Sequence, residues 1–204
     1  MGNRSDAAGL RADSRSFPSP QYYGPSTIDA GDRVSVTNTG DRSTGVTAMN
    51  YNGYGHGSEI TLGQDNLINT AGDDSYGLMA YGYDTVIKAG DGLKATTSGQ
   101  SAHAAVAVNN DSAVGLNDDG PQITLGGNVQ LATSGDEAYG LLAEGQGAFI
   151  NVASGLDLKT TGLEAFGALA LDGGRINLAG GSLAVNGDLT SAAVTAQGQA
   201  GLLS

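Results

Sequence analysis

Short segments in which apolar and polar residues alternate recur along this chain. Alternation with a period of two predicts β-strands that bury one face. The clearest segments are EITL at 59–62, QITL at 122–125, FINV at 149–152 and RINL at 175–178. A second set comprises VSV at 34–36, VQL at 129–131, LDL at 156–158 and LAV at 183–185. No segment of useful length has a helical period, so the pattern predicts an all-β fold.

A nine-residue block that begins with glycine recurs six times between these strands. The blocks are GDRSTGVTA from Gly40, GDDSYGLMA from Gly72, GQSAHAAVA from Gly99, GDEAYGLLA from Gly135, GLEAFGALA from Gly162 and GDLTSAAVT from Gly187. The fourth and sixth residues are always small, the eighth is apolar in five blocks, and the ninth is alanine in all but the last. The end of each block therefore predicts a buried strand, which gives three short strands per repeat.

Three short strands joined by turns in every repeat form a triangular coil. The shortest repeats are about 26 residues long, and stacking such coils pairs each strand with its equivalent at about 4.8 Å. We therefore predict a parallel β-helix, a solenoid of about six coils, over residues 31–204. Its inner face should carry an aliphatic column, in which each burial contributes about 1.5–3 kcal/mol. The predicted members of that column are Ile60, Ile123, Ile150 and Ile176.

Glycine content separates this chain from an average globular protein. It contains 34 glycines in 204 residues and no tryptophan, so a core built on large aromatic residues is not expected. The glycines lie between the predicted strands, where they mark turns. Three of the four prolines fall within residues 16–25, and we predict that residues 1–30 are extended or disordered until a first strand near Val34.

Three of the blocks carry a family resemblance. GDDSYGLMA, GDEAYGLLA and GLEAFGALA, followed by strands such as GAFINVASG and GGRINLAGG, resemble the pertactin-like passenger domains of bacterial autotransporters. The resemblance covers about residues 34–204. It implies a right-handed β-helix that is displayed on the outer membrane of a Gram-negative bacterium and commonly serves in adhesion.

The same family carries an N-terminal signal and a C-terminal membrane barrel. Residues 1–30 contain no apolar stretch of the length that a secretory signal requires, and no barrel pattern follows the repeats. We therefore expect a fragment or a truncated gene product, which would be attached to a membrane only through the missing barrel.

Charge and cysteine content limit the partners of the chain. The net charge is −12 and the pI is about 4.2, which disfavours binding to nucleic acid or anionic lipid. With no cysteine, the chain has neither disulfides nor thiolate zinc sites. We expect no cofactor and no metal. The expected partners are a host surface protein or glycan, or a second copy of the chain.

Two long turns are candidate sites. The turn at 50–57 contains Tyr51, Tyr54 and His56 on a glycine-rich frame, which suits adaptable contacts with sugar or protein. The competing and favoured interpretation is a tolerated surface insertion. The turn at 109–121 offers aspartate and asparagine oxygens that suit calcium, but its spacing fits no known calcium loop, so a solvated acidic turn is favoured.

The fifth position of four consecutive blocks carries a ring. If these residues stack on one another, they form either a packing ladder or an outward aromatic platform for carbohydrate, and packing is the favoured interpretation. The four residues are Tyr76, His103, Tyr139 and Phe166.

Catalysis has little support in the sequence. The two histidines, His56 and His103, lie in different repeats, and neither belongs to a nucleophile motif. The acid pairs Asp73/Asp74 and Asp136/Glu137 fall in predicted turns, where polar residues are expected in any case. We predict a non-enzymatic adhesin, with a β-helical polysaccharide hydrolase or lyase as the alternative. The left-handed β-roll of trimeric adhesins is disfavoured, because it repeats at about half this interval.

Overall fold

A computed structural model describes residues 7–14, 24–50, 57–109, 120–187, 192–197 and 202–203. All regular elements in these ranges are strands, and they form three sheets, A, B and C. None of the described residues belongs to a helix that is long and apolar enough to cross a membrane.

The strands follow one another around the three sheets in a fixed order. Sheet A contains β1 Ala8–Ser14, β4 Thr44–Asn50, β7 Tyr76–Gly82, β10 His103–Val108, β13 Leu141–Glu144, β16 Phe166–Leu171 and β19 Ala192–Gln197. Sheet B contains β2 Ser26–Ala30, β5 Ser58–Leu62, β8 Val86–Ala89, β11 Gln122–Leu125, β14 Phe149–Val152, β17 Arg175–Leu178 and β20 Leu202–Leu203. Sheet C contains β3 Ser35–Thr39, β6 Leu67–Ala71, β9 Lys94–Ser98, β12 Gln130–Ser134, β15 Leu156–Thr161 and β18 Gly181–Asn186.

Each strand pairs in parallel with the strand three places later in the chain. The chain therefore winds through six complete coils of three strands and begins a seventh with β19 and β20. The predicted all-β fold, a parallel β-helix of about six coils with three short strands each, is confirmed.

The β-helix begins earlier than the sequence predicts. Residues 1–30 were expected to lie outside it, but β1 and β2 form its first coil, with Ala8 opposite Thr44 and Ile28 opposite Ile60. Ile28 and Leu10 extend the apolar inner columns into this coil, where both side chains pack against the core. The proline-rich residues between β1 and β2 interrupt the repeat, which hides this coil in the sequence.

The predicted isoleucine column forms the inner face of sheet B. With Ile87 included, each isoleucine of the column lies opposite the next in register. None of the isoleucine side chains in this column is more than 1% exposed. Ile87 belongs to the same column and fills the coil that the predicted set left empty. The alanine that ends each of the first five blocks faces inward from sheet A and, with Ala12 of β1, forms a matching column of small residues. That column is Ala12, Ala48, Ala80, Ala107, Ala143 and Ala170.

The glycine that opens each of the first five blocks has a positive φ, which the turn between sheets C and A requires. At Gly99, φ is +127°, and an added Cβ would lie 2.2 Å from the carbonyl oxygen of Gly72 in the preceding coil. The third residue of each of these five blocks also has a positive φ, as at Asp74 (53°) and Glu137 (55°). Stacked glycines and left-handed residues therefore set the close approach of successive coils.

The last block is aligned one residue differently from the prediction. Ala192, rather than Ser191, lies opposite Phe166, and Val194 lies opposite Ala168. The reason is the turn that precedes this strand: five residues separate β18 from β19, whereas four separate β15 from β16.

Candidate contact surface

The outer face of sheet A is apolar, which is unusual for the solvent side of a sheet. Three columns of outward side chains cross strands β7, β10, β13 and β16, and together we call them the sheet A face. The first column is Tyr76, His103, Tyr139 and Phe166; the second is Met79, Val106, Leu142 and Leu169; the third is Tyr81, Val108, Glu144 and Leu171.

Equivalent outward positions on sheet B are mostly polar. One column there is Thr61, Lys88, Thr124, Asn151 and Asn177. Lys88 forms an ion pair with Glu59 (2.6 Å) on this surface, and Asn177 donates a hydrogen bond to Asn151 (2.6 Å). The outward side chains of sheet A are therefore more apolar than those of sheet B. This difference distinguishes the sheet A face, because solvent exposure alone would favour polar residues on both sheets.

The first column is a continuous stack of rings. The ring centroids of Tyr76 and His103 are 5.5 Å apart, and those of His103 and Tyr139 are 4.5 Å apart with nearly parallel planes. Phe166 meets Tyr139 edge to face at 5.3 Å. Both geometries are favourable for aromatic pairs. The predicted ladder therefore exists, and it lies outside the core that the three sheets enclose.

The stack shields the second column. Val106, Leu142 and Leu169 have exposed fractions of 3%, 6% and 4%. They form a small outer cluster, against which Tyr139 and Phe166 pack from one side and Leu171 from the other. Packing and outward placement of the rings, which the sequence presented as alternatives, therefore occur together.

His103 is a neutral member of the stack. It is 7% exposed, and its Nδ1 accepts a hydrogen bond from the backbone N–H of Tyr139 (3.0 Å). Burial lowers the pKa of His103 to about 4. Burial, with the nearby carboxylates, also raises the pKa values of the Tyr76 and Tyr139 phenols. At neutral pH the stack therefore carries no charge.

The stack of rings stops at Tyr76. In the two preceding coils the same column holds only Thr44 and Ala8, and the second column changes from Met79 to Thr47. These small residues leave a groove of about 580 Å³ on the outer face of β1, β4 and β7. Its described lining is Ala7, Ala8, Arg11, Arg42, Thr44, Thr47, Met49, Asp74, Tyr76 and Met79.

The groove carries more positive charge than the molecule as a whole. Two of the nine basic residues, Arg11 and Arg42, line it, together with one acid, Asp74. Arg11 also forms an ion pair with Asp13 (2.8 Å) on the same strand. The buried hydroxyl of Thr47 has no hydrogen-bond partner within the described part of the chain.

The three longest connections all join a strand of sheet A to the following strand of sheet B. They are the segments between β1 and β2, between β4 and β5, and between β10 and β11. In other coils this connection is short, as in the three residues between β7 and β8. Tyr51, Tyr54 and His56 belong to the second connection and lie outside the described residues. The same holds for residues 110–119 of the acidic turn.

The predicted acid pairs have structural roles in the turns between sheets C and A. Asp73 Oδ1 accepts a hydrogen bond from the backbone N–H of Gln100 (2.9 Å), and Asp136 Oδ1 accepts one from Leu163 (2.9 Å). Each carboxylate therefore satisfies a backbone amide of the next coil.

No group of three or more histidine, cysteine or acidic residues that could hold a metal occurs in the described ranges.

Sequence reasoning missed the groove, although the sequence contains a signal for it. The first block departs from the next four at two positions, with Thr44 in the ring column and Thr47 in the apolar column. Arg11 lies in a coil that the sequence did not reveal.

Comparisons with family models, with curated proteins and with solved structures gave no match.

Proposed function

We propose that this chain is a non-catalytic, surface-displayed β-helix of the autotransporter passenger type, and that it makes adhesive contacts through the sheet A face. The observation that carries the proposal is the stack of rings beside aliphatic residues on the outside of one sheet. The core of a solenoid does not depend on apolar residues at its outer positions, so a mainly apolar strip across four coils favours a contact surface.

The position of the long connections supports the same proposal. All three join a strand of sheet A to the next strand, which belongs to sheet B, so each begins at the end of a sheet A strand. Loops held by a rigid scaffold are common places for binding residues. The proposed partners are a host surface protein or glycan, or a second copy of the chain, and the proposed location is the surface of a Gram-negative bacterium.

A matched pair of substitutions tests the proposal. Phe166 and Phe149 are both half-buried and both begin a strand, but Phe166 lies on sheet A and Phe149 on sheet B, where Arg175 lies 5.4 Å from its ring. Beads coated with purified chain are incubated with epithelial cells, with extracellular matrix or with chain-coated beads. We expect Phe166→Ser to lower binding roughly tenfold, as for an aromatic contact residue, and Phe149→Ser to leave it unchanged.

Circular dichroism establishes that both variants keep the β-helix. Equal losses in the two variants, or binding to none of the three targets, would contradict the proposal. Deletion of residues 51–56 tests Tyr51, Tyr54 and His56 separately. Loss of binding on deletion with no effect of Phe166→Ser would assign the contact to the turn instead.

A further inference from the structure

We infer that the groove beside Tyr76 binds a carboxylated sugar ring, such as the uronic acid residue of an acidic polysaccharide. The inference rests on the proposal that the outside of sheet A makes contacts, and it identifies the class of ligand at one end of that surface.

The Tyr76 ring stacks on a described ring through one face only. That face meets His103, and the other points along the column toward Thr44 and Ala8, which have no ring. Among the described residues, the column therefore ends with an unfilled stacking position. The groove that results, about 580 Å³, is within the range of roughly 300–1,000 Å³ that is typical of small-molecule sites. A sugar ring can place its C–H face against the tyrosine in that position.

Two polar side chains at the wall of the groove can bond to a ligand with hydroxyl groups. The Thr47 hydroxyl has no partner among the described residues, although buried polar groups are normally hydrogen-bonded. Because this oxygen is itself buried, a ligand hydroxyl reaches it once the Thr47 side chain rotates toward the groove. Asp74 is a second acceptor in the lining. These groups favour a polyol over a purely aromatic or aliphatic ligand.

The two arginines of the groove favour a ligand with a negative charge. Arg11 and Arg42 both line the groove in a chain whose net charge is −12. A guanidinium has five N–H donors, so the ion pair of Arg11 with Asp13 leaves donors for a ligand. Arginine binds carboxylates through charge-assisted hydrogen bonds. A ring that carries a carboxylate therefore matches the groove better than a neutral sugar does.

The test measures binding of methyl β-D-glucuronide and its neutral counterpart, methyl β-D-glucoside, to the purified chain by ligand-observed NMR. We expect the glucuronide to bind at least about tenfold more tightly, because only it can form the charge-assisted bonds. Added salt should weaken this preference. Arg42→Gln and Arg11→Gln should each reduce it.

Tyr76→Ala tests the stacking position, with Tyr139→Ala as its control. Both variants remove a tyrosine from the same column, but only Tyr76 lines the groove. We expect Tyr76→Ala to raise the Kd for the glucuronide roughly 2- to 10-fold and Tyr139→Ala to leave it unchanged. Thermal denaturation monitored by circular dichroism identifies any loss of the fold, and Tyr76→Phe, which keeps the ring, should retain binding.

Equal binding of the two sugars, binding of neither, or equal effects of Tyr76→Ala and Tyr139→Ala would overturn the inference. So would binding of an acidic peptide in place of both sugars. The result is independent of the cell assay. Adhesion that depends on Phe166 without glucuronide binding would refute only the inference that the groove binds a carboxylated sugar. Glucuronide binding without adhesion would refute the proposal that the sheet A face is adhesive.

Discussion

At the scale of single residues, His103 shows how an outward position becomes a structural one. The imidazole stacks between Tyr76 and Tyr139, and its Nδ1 accepts a backbone hydrogen bond from the next coil. The acceptor role of Nδ1 requires the neutral ring, which burial favours. Protonation of His103 at low pH would therefore remove the hydrogen bond to the next coil.

Lowering the pH should destabilise the β-helix through His103. The folded-state pKa, about 4, is below the usual value of 6.5, so unfolding takes up a proton between these values. The contribution is fully present above pH 6.5 and is lost as the pH falls to about 4, amounting to about 3 kcal/mol. Urea denaturation at several pH values measures it.

His103→Phe, which keeps a ring, should remove this part of the pH dependence, while His56→Phe should preserve it. The same slope in His103→Phe as in the unmodified chain would show that His103 does not titrate in this way.

The sequence was sufficient to predict the ring column but not the groove. A shared position in four blocks placed the rings on one column, because equivalent residues of stacked coils lie over one another. The groove depends on where the rings stop and on Arg11, which belongs to a coil with no recognisable block. The pairing of β1 with β4 in the structure places Ala8 opposite Thr44 and Arg11 opposite Thr47, and the sequence alone did not predict this pairing.

At the scale of elements, the inward isoleucine column determines which face of sheet B is buried. Ile123 is fully buried, whereas its neighbour Thr124 is exposed on the opposite face of β11. The alternation that predicted this strand is the direct consequence of its two faces.

Truncation of these two neighbours should have different effects on stability. We expect Ile123→Ala to reduce the free energy of unfolding by about 2–5 kcal/mol, because it leaves a cavity between the inner faces of three sheets. Thr124→Ala should cost less than about 1 kcal/mol. Urea denaturation of both variants checks the difference, and similar losses would show that β11 does not have the described orientation.

The sequence located the interior strands better than those at the two ends. Most interior strands follow the repeated block and the isoleucine segment, although the sequence pattern did not identify β6, β8 and β9. The first coil has Ile28 but no glycine block, and the last has a turn that is one residue longer. The block aligns correctly only where the turn between sheets C and A keeps its length.

At the scale of the whole molecule, apolar side chains and long connections concentrate on one side. Sheet A carries the rings, the groove is at one end of it, and the three longest connections each begin at the end of a sheet A strand. A regular β-helix alone requires neither arrangement, since its inner columns provide the core. We propose that the partner binds to this side of the β-helix.

Hydroxyl-radical footprinting tests that claim most directly. The oxidation of Phe166, Tyr139 and Phe149 is measured by mass spectrometry in the free chain and in the chain bound to the target that retains beads. We expect binding to protect Phe166 and Tyr139 on sheet A and to leave Phe149 on sheet B unchanged. Protection of Phe149 with no change at Phe166 and Tyr139 would show that the partner meets another side of the β-helix.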